Sequence, residues 1–334
     1  MYVRQILRTL GDHPRSTVAY LVLGPLTTLA QVHRHSLMAG QSTRTTSALH
    51  ELPLILHMGG AVDCPGNTLP DSEFNVCADP FAAQEIFALE LASFHLFPLD
   101  ITSEHTLPFE MYGSLVDSAF DALCAGESAA STAREEQGGP VAPVTHFTTA
   151  FMTRVRAVMR SLGDDQVELH DPAVAWALVA WARARTYAQV QEPTTSSSSS
   201  NGVATTATNW EAPQQQGTTA QEEEEFAPGW LYTRRVFEVE TTGTITRGML
   251  VVDRRQSASS SNTTGGGEAK PLSRAKQFDR FGGLHEMANM QNDGHATTTT
   301  TTRKGVKVIT ATPGQDTLRG LMLERIWNVR VPFA

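Results

Sequence analysis

Between Val18 and Ile101 the apolar runs alternate in kind, and this alternation constrains the fold more than any other feature of the 334 residues. Val18 to Leu23 (VAYLVL) reads as a strand, and Gly24-Pro25 after it opens a helical segment from Leu26 to about His33. Leu52 to Met58 (LPLILHM) reads as a second, buried strand stopped by Gly59-Gly60. Residues 81–91 (FAAQEIFALEL) carry helical spacing behind Asp79-Pro80, a capping acid followed by a first-turn proline. Leu96 to Ile101 reads as a third strand. Strand, helix, strand, helix, strand is the order of an α/β fold, a mostly parallel sheet flanked by helices. Ligands of such sheets bind beyond the carboxyl ends of the strands.

The C-terminal half is interrupted by low-complexity insertions at 193–225 (Ser, Thr, Gln and Glu with one Trp), 256–270 (Ser and Gly) and 297–302 (six threonines). Such compositions bury too little apolar area to offset the entropy of ordering, so disordered loops are expected there. They lower the hydrophobic fraction to 40%, under the usual level of about 45–50%. Patterned sequence resumes after each insertion. Arg235 to Glu240, Gly248 to Asp253 and Val306 to Ile309 read as strands, and Thr317 to Trp327 as a helix. The expectation is one domain over 1–334 with three insertions.

Lys plus Arg is 26 and Asp plus Glu is 35, a formal charge of −9. Four of the acids form the single run Glu222 to Glu225, so the remainder is mildly acidic and lacks the clustered basic face that nucleic acid requires. The three cysteines, Cys64, Cys77 and Cys124, are odd in number and have no C-x-x-C spacing, which excludes a disulfide scaffold and a zinc ribbon. No apolar run reaches the roughly 18 residues of a membrane span, and the first residues (MYVRQILRTLGDHPRS) have no signal-peptide organisation. The expectation is a cytoplasmic protein without membrane or nucleic-acid partners.

Three polar clusters fall at expected strand ends. Gly24-Pro25-Leu26-Thr27-Thr28 is a strand-to-helix turn that exposes the carbonyl of Leu23. Met58-Gly59-Gly60-Ala61, Gly66-Asn67 and Ser72-Glu73-Phe74-Asn75 form the second. Glu73 and Asn75, two apart on extended backbone, point the same way and offer an acceptor and an amide to a polyhydroxylated ligand; loop solvation is the plainer alternative. Asp79 is read as a helix cap. His170-Asp171-Pro172 precedes a helical stretch from Ala173 to Arg185. Asp171 is either an N-cap or an oxygen ligand for a hard metal with a proton donor beside it. Trp176, Trp230 and Tyr232 are read as core residues over base-stacking ones, and His105 and His146 as histidines without an identifiable partner.

GPLTT, MGGA with GN following, SEFN-x-x-x-DP, LDIT at 99–102, HDP at 170–172 and TRGMLVVD at 246–253 occur in order. Together they resemble the inosine–uridine preferring nucleoside hydrolases from about Val18 to Trp327 with the insertions excluded. The resemblance implies hydrolysis of the N-glycosidic bond of purine and pyrimidine ribonucleosides to ribose and free base, a bound Ca²⁺, and assembly into a homo-oligomer. It assigns Asp171 and the Leu23 carbonyl to the metal, His170 to assisting the departing base, and Met58, Asn67, Glu73 and Asn75 to the ribose. A hard cation with oxygen ligands suits this chemistry.

The family opens with a strand running into D-x-D-x-x-x-D-D, which supplies metal carboxylates and the general base; the 334 residues contain no such segment. Asp164-Asp165 is the only pair of adjacent aspartates, and the Ser161-Leu162-Gly163 before it is no strand. Thr28 stands where the family usually has asparagine. The expectation is a sheet without the family's first strand and an incomplete calcium site. A non-catalytic ribosyl- or nucleoside-binding or scaffold relative is the alternative function.

Overall fold

Strands that lack the apolar–polar alternation of a half-exposed sheet are covered on both faces, and the two central strands of the N-terminal region behave this way. The structure is a computed structural model and describes residues 2–14, 16–39, 47–117, 143–191, 223–252 and 304–331. It divides into two compact units, one of Met1–Leu99 with Arg234–Lys307, the other of Asp100–Thr233 with Val308–Ala334.

In the first unit α1 (Tyr2–Asp12) precedes β1 (Tyr20–Val22), α2 (Thr27–Ala39), β2 (Ile55–Met58), α3 (Phe74–Ala78), α4 (Pro80–Ala88) and β3 (Phe94–Phe97). β1, β2 and β3 pair in parallel, Val22 beside His57 and Met58 beside Phe97. Every residue of β2 and β3 is buried. The helix after the Gly24-Pro25 turn runs to Ala39, six residues beyond the His33 of the sequence reading. The third strand is a larger correction. It spans Phe94–Phe97, and Leu99–Thr102 forms the helical turn α5 instead of extending it. Pro98, which has no N–H for the ladder, lies at the change.

The second unit contains β4 (Thr106–Pro108), α6 (Phe109–Tyr112), α7 (Pro143–Leu162), β5 (Gln166–Glu168), α8 (His170–Gln191) and β6 (Glu224–Ala227). β7 (Trp230–Arg235) and β10 (Val306–Ala311) cross the division in sequence, and β6, β7 and β10 are neighbours in that order. The pairing of β4 with β5 and of β6 with β7 is antiparallel. β8 (Phe237–Val239) and β9 (Leu250–Val252) form an antiparallel ladder in the first unit, and α9 (Gln315–Trp327) closes the second. Within the second unit Arg319 of α9 is buried and donates to Thr106 of β4, so the helix and the β4–β5 ladder are joined by a charge-assisted contact. The fold is α/β, a mostly parallel sheet flanked by helices.

Glu224 and Glu225, the last two residues of the first insertion as read from composition, belong to β6. The rest of that insertion except Glu223, and all of 256–270 and 297–302, lie outside the described residues, as does Cys124. The strand read at Arg235–Glu240 starts at Phe237, because Arg235 ends β7, a strand the sequence reading did not place.

His57 and His95 face the interior of β2 and β3, and burial holds their pKa values at about 4 and about 3. Lys307 adds repulsion at His95. Unfolded histidine takes up its proton near pH 6.5, so between pH 6.5 and about 4 the unfolded chain binds more protons and stability rises with pH. The contribution of a neutral His57 is complete above pH 6.5 and lost toward pH 4, a difference of about 3 kcal/mol. Urea unfolding of the His57→Leu variant at several pH values is expected to show a shallower acid loss than wild type; equal slopes would refute the assignment.

Candidate functional site

The loop after β2 and the short helix α3 gather three of the sequence-predicted residues in the first unit. Gly59 and Gly60 end β2, and Gly60 adopts a φ of +83°, with Leu250 packed where a side chain would begin. The turn exposes its amides to Glu73. Glu73 is 2% exposed, and its carboxylate accepts three backbone amides: Oε2 those of Gly60 at 2.8 Å and Val76 at 3.1 Å, Oε1 that of Asn75 at 2.8 Å.

Glu73 is therefore the N-cap of α3 and a bridge to the loop thirteen residues earlier. The extended backbone read for Glu73 to Asn75 holds at Glu73, with φ −84° and ψ 149°, and is corrected at Asn75, which lies in the helix. The cap wins because four free amides at a helix start need acceptors. Three of them have side-chain acceptors here, Asn75 and Val76 in Glu73 and Phe74 in Asn67 Oδ1 at 2.9 Å, and the amide of Cys77 makes the first bond within the helix, to the Glu73 carbonyl at 2.9 Å. Asn75 Nδ2 donates to the Met58 carbonyl at 3.0 Å. Met58, Glu73 and Asn75 are thus joined directly, and exposed Asn67 is tied to them through the backbone of α3. The Met58 side chain is buried.

Two further contacts fix α3 from outside. Arg247 Nε donates to the Cys77 carbonyl at 3.1 Å, and Gly248, at φ +81°, lies so close that a Cβ there would meet the Cys77 backbone at 2.5 Å. The TRG sequence is a clamp on α3. Asp79 is the cap it was read to be: Oδ1 accepts from the Ala82 amide at 3.1 Å and Oδ2 from the Thr27 hydroxyl at 2.5 Å. Leu23 follows β1 and is partly exposed, one residue past Val22, the register partner of His57.

His170 and Asp171 lie in the second unit, in the first turn of α8. The helix begins at His170, so Asp171 sits inside it rather than capping it. Thr102 Oγ1 lies 2.9 Å from His170 Nδ1, and Glu168 Oε2 2.9 Å from Nε2. Both ring nitrogens are held. Thr102 and Glu168 were missed by sequence reasoning: Glu168 is two residues from the histidine and was legible by proximity, whereas Thr102 is 68 residues away. Burial raises the Asp171 carboxyl above its ordinary value, opposed by the adjacent His170.

Calcium requires six to eight oxygens. The sequence offers one carboxylate and one carbonyl, and among the described residues no group of three or more His, Cys, Asp and Glu could hold a metal ion. The described donors do not fit a calcium site. His105 has partners after all: its buried ring lies 3.0 Å from the Ile101 carbonyl and 3.0 Å from Thr312 Oγ1. His146 is not without a partner either. Trp230 and Tyr232 are buried, and Trp176 meets Trp230 edge-on at 4.6 Å, which accords with a core role.

Residues 2–281 match the inosine-uridine preferring nucleoside hydrolase family. No curated protein matches the chain. Among solved structures it is similar to a plant nucleoside hydrolase, with 15% identity, 97% of this chain and 66% of that one covered, and a TM-score of 0.49. An inosine–guanosine nucleoside hydrolase shares 16% identity over 98% of this chain and 69% of its own, also at 0.49. A purine-preferring ribonucleoside hydrolase from Gardnerella vaginalis shares 18% over 75% and 55%, at 0.42. The chain spans about two thirds of the length of the first two.

Replacing Glu73 by Gln puts an amide donor where backbone amides now donate. The expected cost is about 1–3 kcal/mol, read as a lower denaturation midpoint at unchanged m-value. Asp79→Ala removes the α4 cap and the partner of Thr27, with an expected loss of about 1–2 kcal/mol; a midpoint equal to wild type would contradict the capping role.

Proposed function

Because the chain belongs to the inosine-uridine preferring nucleoside hydrolase family, we propose that it hydrolyses the N-glycosidic bond of ribonucleosides, releasing ribose and the free base. The family match over residues 2–281 is the observation that carries this reading. No helix among the described residues is long and apolar enough to cross a membrane, in keeping with a small-molecule substrate met in the cytoplasm.

The chemistry divides between the residues described. Water adds its oxygen to the anomeric carbon, the carbon–nitrogen bond breaks, and its electron pair leaves with the base, which needs a proton to depart neutral. His170 is assigned to that proton. Its ring is fixed by Thr102 and Glu168, so the orientation is set before substrate arrives. Glu73, Asn75, Asn67 and Met58 are assigned to the ribose. The support is their rigidity: a carboxylate and an amide held by backbone contacts pay little conformational entropy on binding a sugar. The described carboxylates do not gather into a cation site, so the reading rests on the ribose groups and on His170.

The purified chain incubated with inosine or uridine is expected to release hypoxanthine or uracil, measured chromatographically. His170→Ala should lower kcat by about 10²–10⁴, the usual worth of a general acid. Nucleoside binding by calorimetry without base release would overturn hydrolysis and leave a ribosyl-binding protein.

A further inference from the structure

In the second unit α8 and α9 set out from the same residue. The His105 carbonyl accepts from the Leu169 amide at 2.6 Å, just before α8, and His105 Nε2 lies 3.0 Å from Thr312 Oγ1, three residues before α9. The two helices then border a cleft of about 550 Å³, from Ala175 to Ala184 on α8 and from Thr317 to Ile326 on α9. Nine steps of helical rise make each wall about 13 Å long. Pro228 and Trp230, from the turn between β6 and β7, close one side.

The walls are apolar. Ala175, Val179 and Ala180 line one and Leu321, Met322 and Ile326 the other, and Val179 is 48% exposed. Among the described residues no Asp, Glu or His lines the cleft; apart from two indoles its polar side chains are Thr317, Arg183 and Arg325. The Thr317 hydroxyl already donates to the Pro313 carbonyl at 3.1 Å. Against such walls a sugar or a nucleobase would leave its polar atoms without partners, which is costly, whereas an apolar body would not.

The two guanidiniums share one end of the cleft. Arg183 stands thirteen residues past His170 and Arg325 thirteen past Thr312, so helices that leave His105 together carry both cations to the far end. The acids around them are engaged elsewhere: Asp316 with Arg319, Glu324 with Arg330, Glu223 with Thr310, Glu224 with the Tyr232 hydroxyl and Glu225 with the Gly229 amide. Neither Arg183 nor Arg325 has an ion pair among the described residues. Arg325 is in the last turn of α9, where the helix dipole favours a cation; Arg183 lies two turns short of the end of α8 and has no such reason to be there.

We propose that this cleft binds a free long-chain carboxylate, its alkyl chain laid between α8 and α9 and its head on Arg183 and Arg325. A guanidinium meets a carboxylate with two parallel N–H donors, a match in geometry as well as charge. Clefts of this size, apolar with a few placed polar groups, are the usual form of small-molecule sites. Neither His170 nor Asp171 lines the cleft, and the inference is independent of the hydrolase reading.

Calorimetric titration of the full chain with dodecanoate below its micellar concentration tests the proposal, since the extended chain of that acid suits the length of the walls. Wild type is expected to take up one equivalent, and dodecylammonium, with the same tail and the opposite charge, to bind about tenfold more weakly or worse. The doubly substituted Arg183→Gln, Arg325→Gln chain should lose about tenfold or more in affinity for dodecanoate. Its thermal melt should be unchanged, because both side chains are exposed. Val179→Glu, which sets a carboxylate in the apolar wall, should abolish uptake. No heat with dodecanoate overturns the proposal. So does uptake of several equivalents that neither variant changes, equal binding of dodecylammonium, or sedimentation with phosphatidylglycerol vesicles in preference to the free acid.

Discussion

The Glu73 carboxylate, buried and accepting three backbone amides, is the interaction on which the first unit's candidate site depends. A buried carboxylate without partners would be expensive. Here desolvation is offset by amides that would otherwise be orphaned, at the start of α3 and at the glycine turn. The same bonds that make the charge tolerable also set the distance between loop and helix.

Much of the surrounding sequence follows from keeping that arrangement in place. Gly60 takes a positive φ so that its amide can face the acid, and Leu250 fills the space its missing side chain leaves. Gly248 permits a backbone approach to Cys77 that a methyl group would block, and Arg247 satisfies the end of α3. Asp79 serves α4 and Thr27 together, linking α4 to the turn that follows β1. These are local demands met by distant residues. In the second unit the same economy recurs at His170, where a threonine hydroxyl and a carboxylate settle the ring before any ligand binds.

The family's motifs thus acquire separate physical duties. SEFN is a cap and its helix, GN supplies one amide acceptor, TRG is a clamp, and DP begins the next helix. Their order along the chain is specific because each piece is fitted to another. The metal is a different matter: the described carboxylates do not cluster, and a divalent cation is held by several oxygens at once. Family membership is therefore carried by these motifs, while no group of described carboxylates carries a metal.

The sequence by itself determined the α/β order, the buried character of β2, the cap at Asp79 and the family, because each is written in residues close together: periodicity, an acid before a proline, short motifs in series. It misjudged the third strand, where apolar character continues past Pro98 although hydrogen bonding does not, and it did not place the helix that starts at Phe74 with Glu73 as its cap. Tertiary structure decided those points. Glu73 caps α3 and reaches Gly60 because the loop folds back on the helix, and Thr102 meets His170 across 68 residues. A local pattern carries no record of which distant amide or hydroxyl will arrive; packing of the strands and helices supplies it.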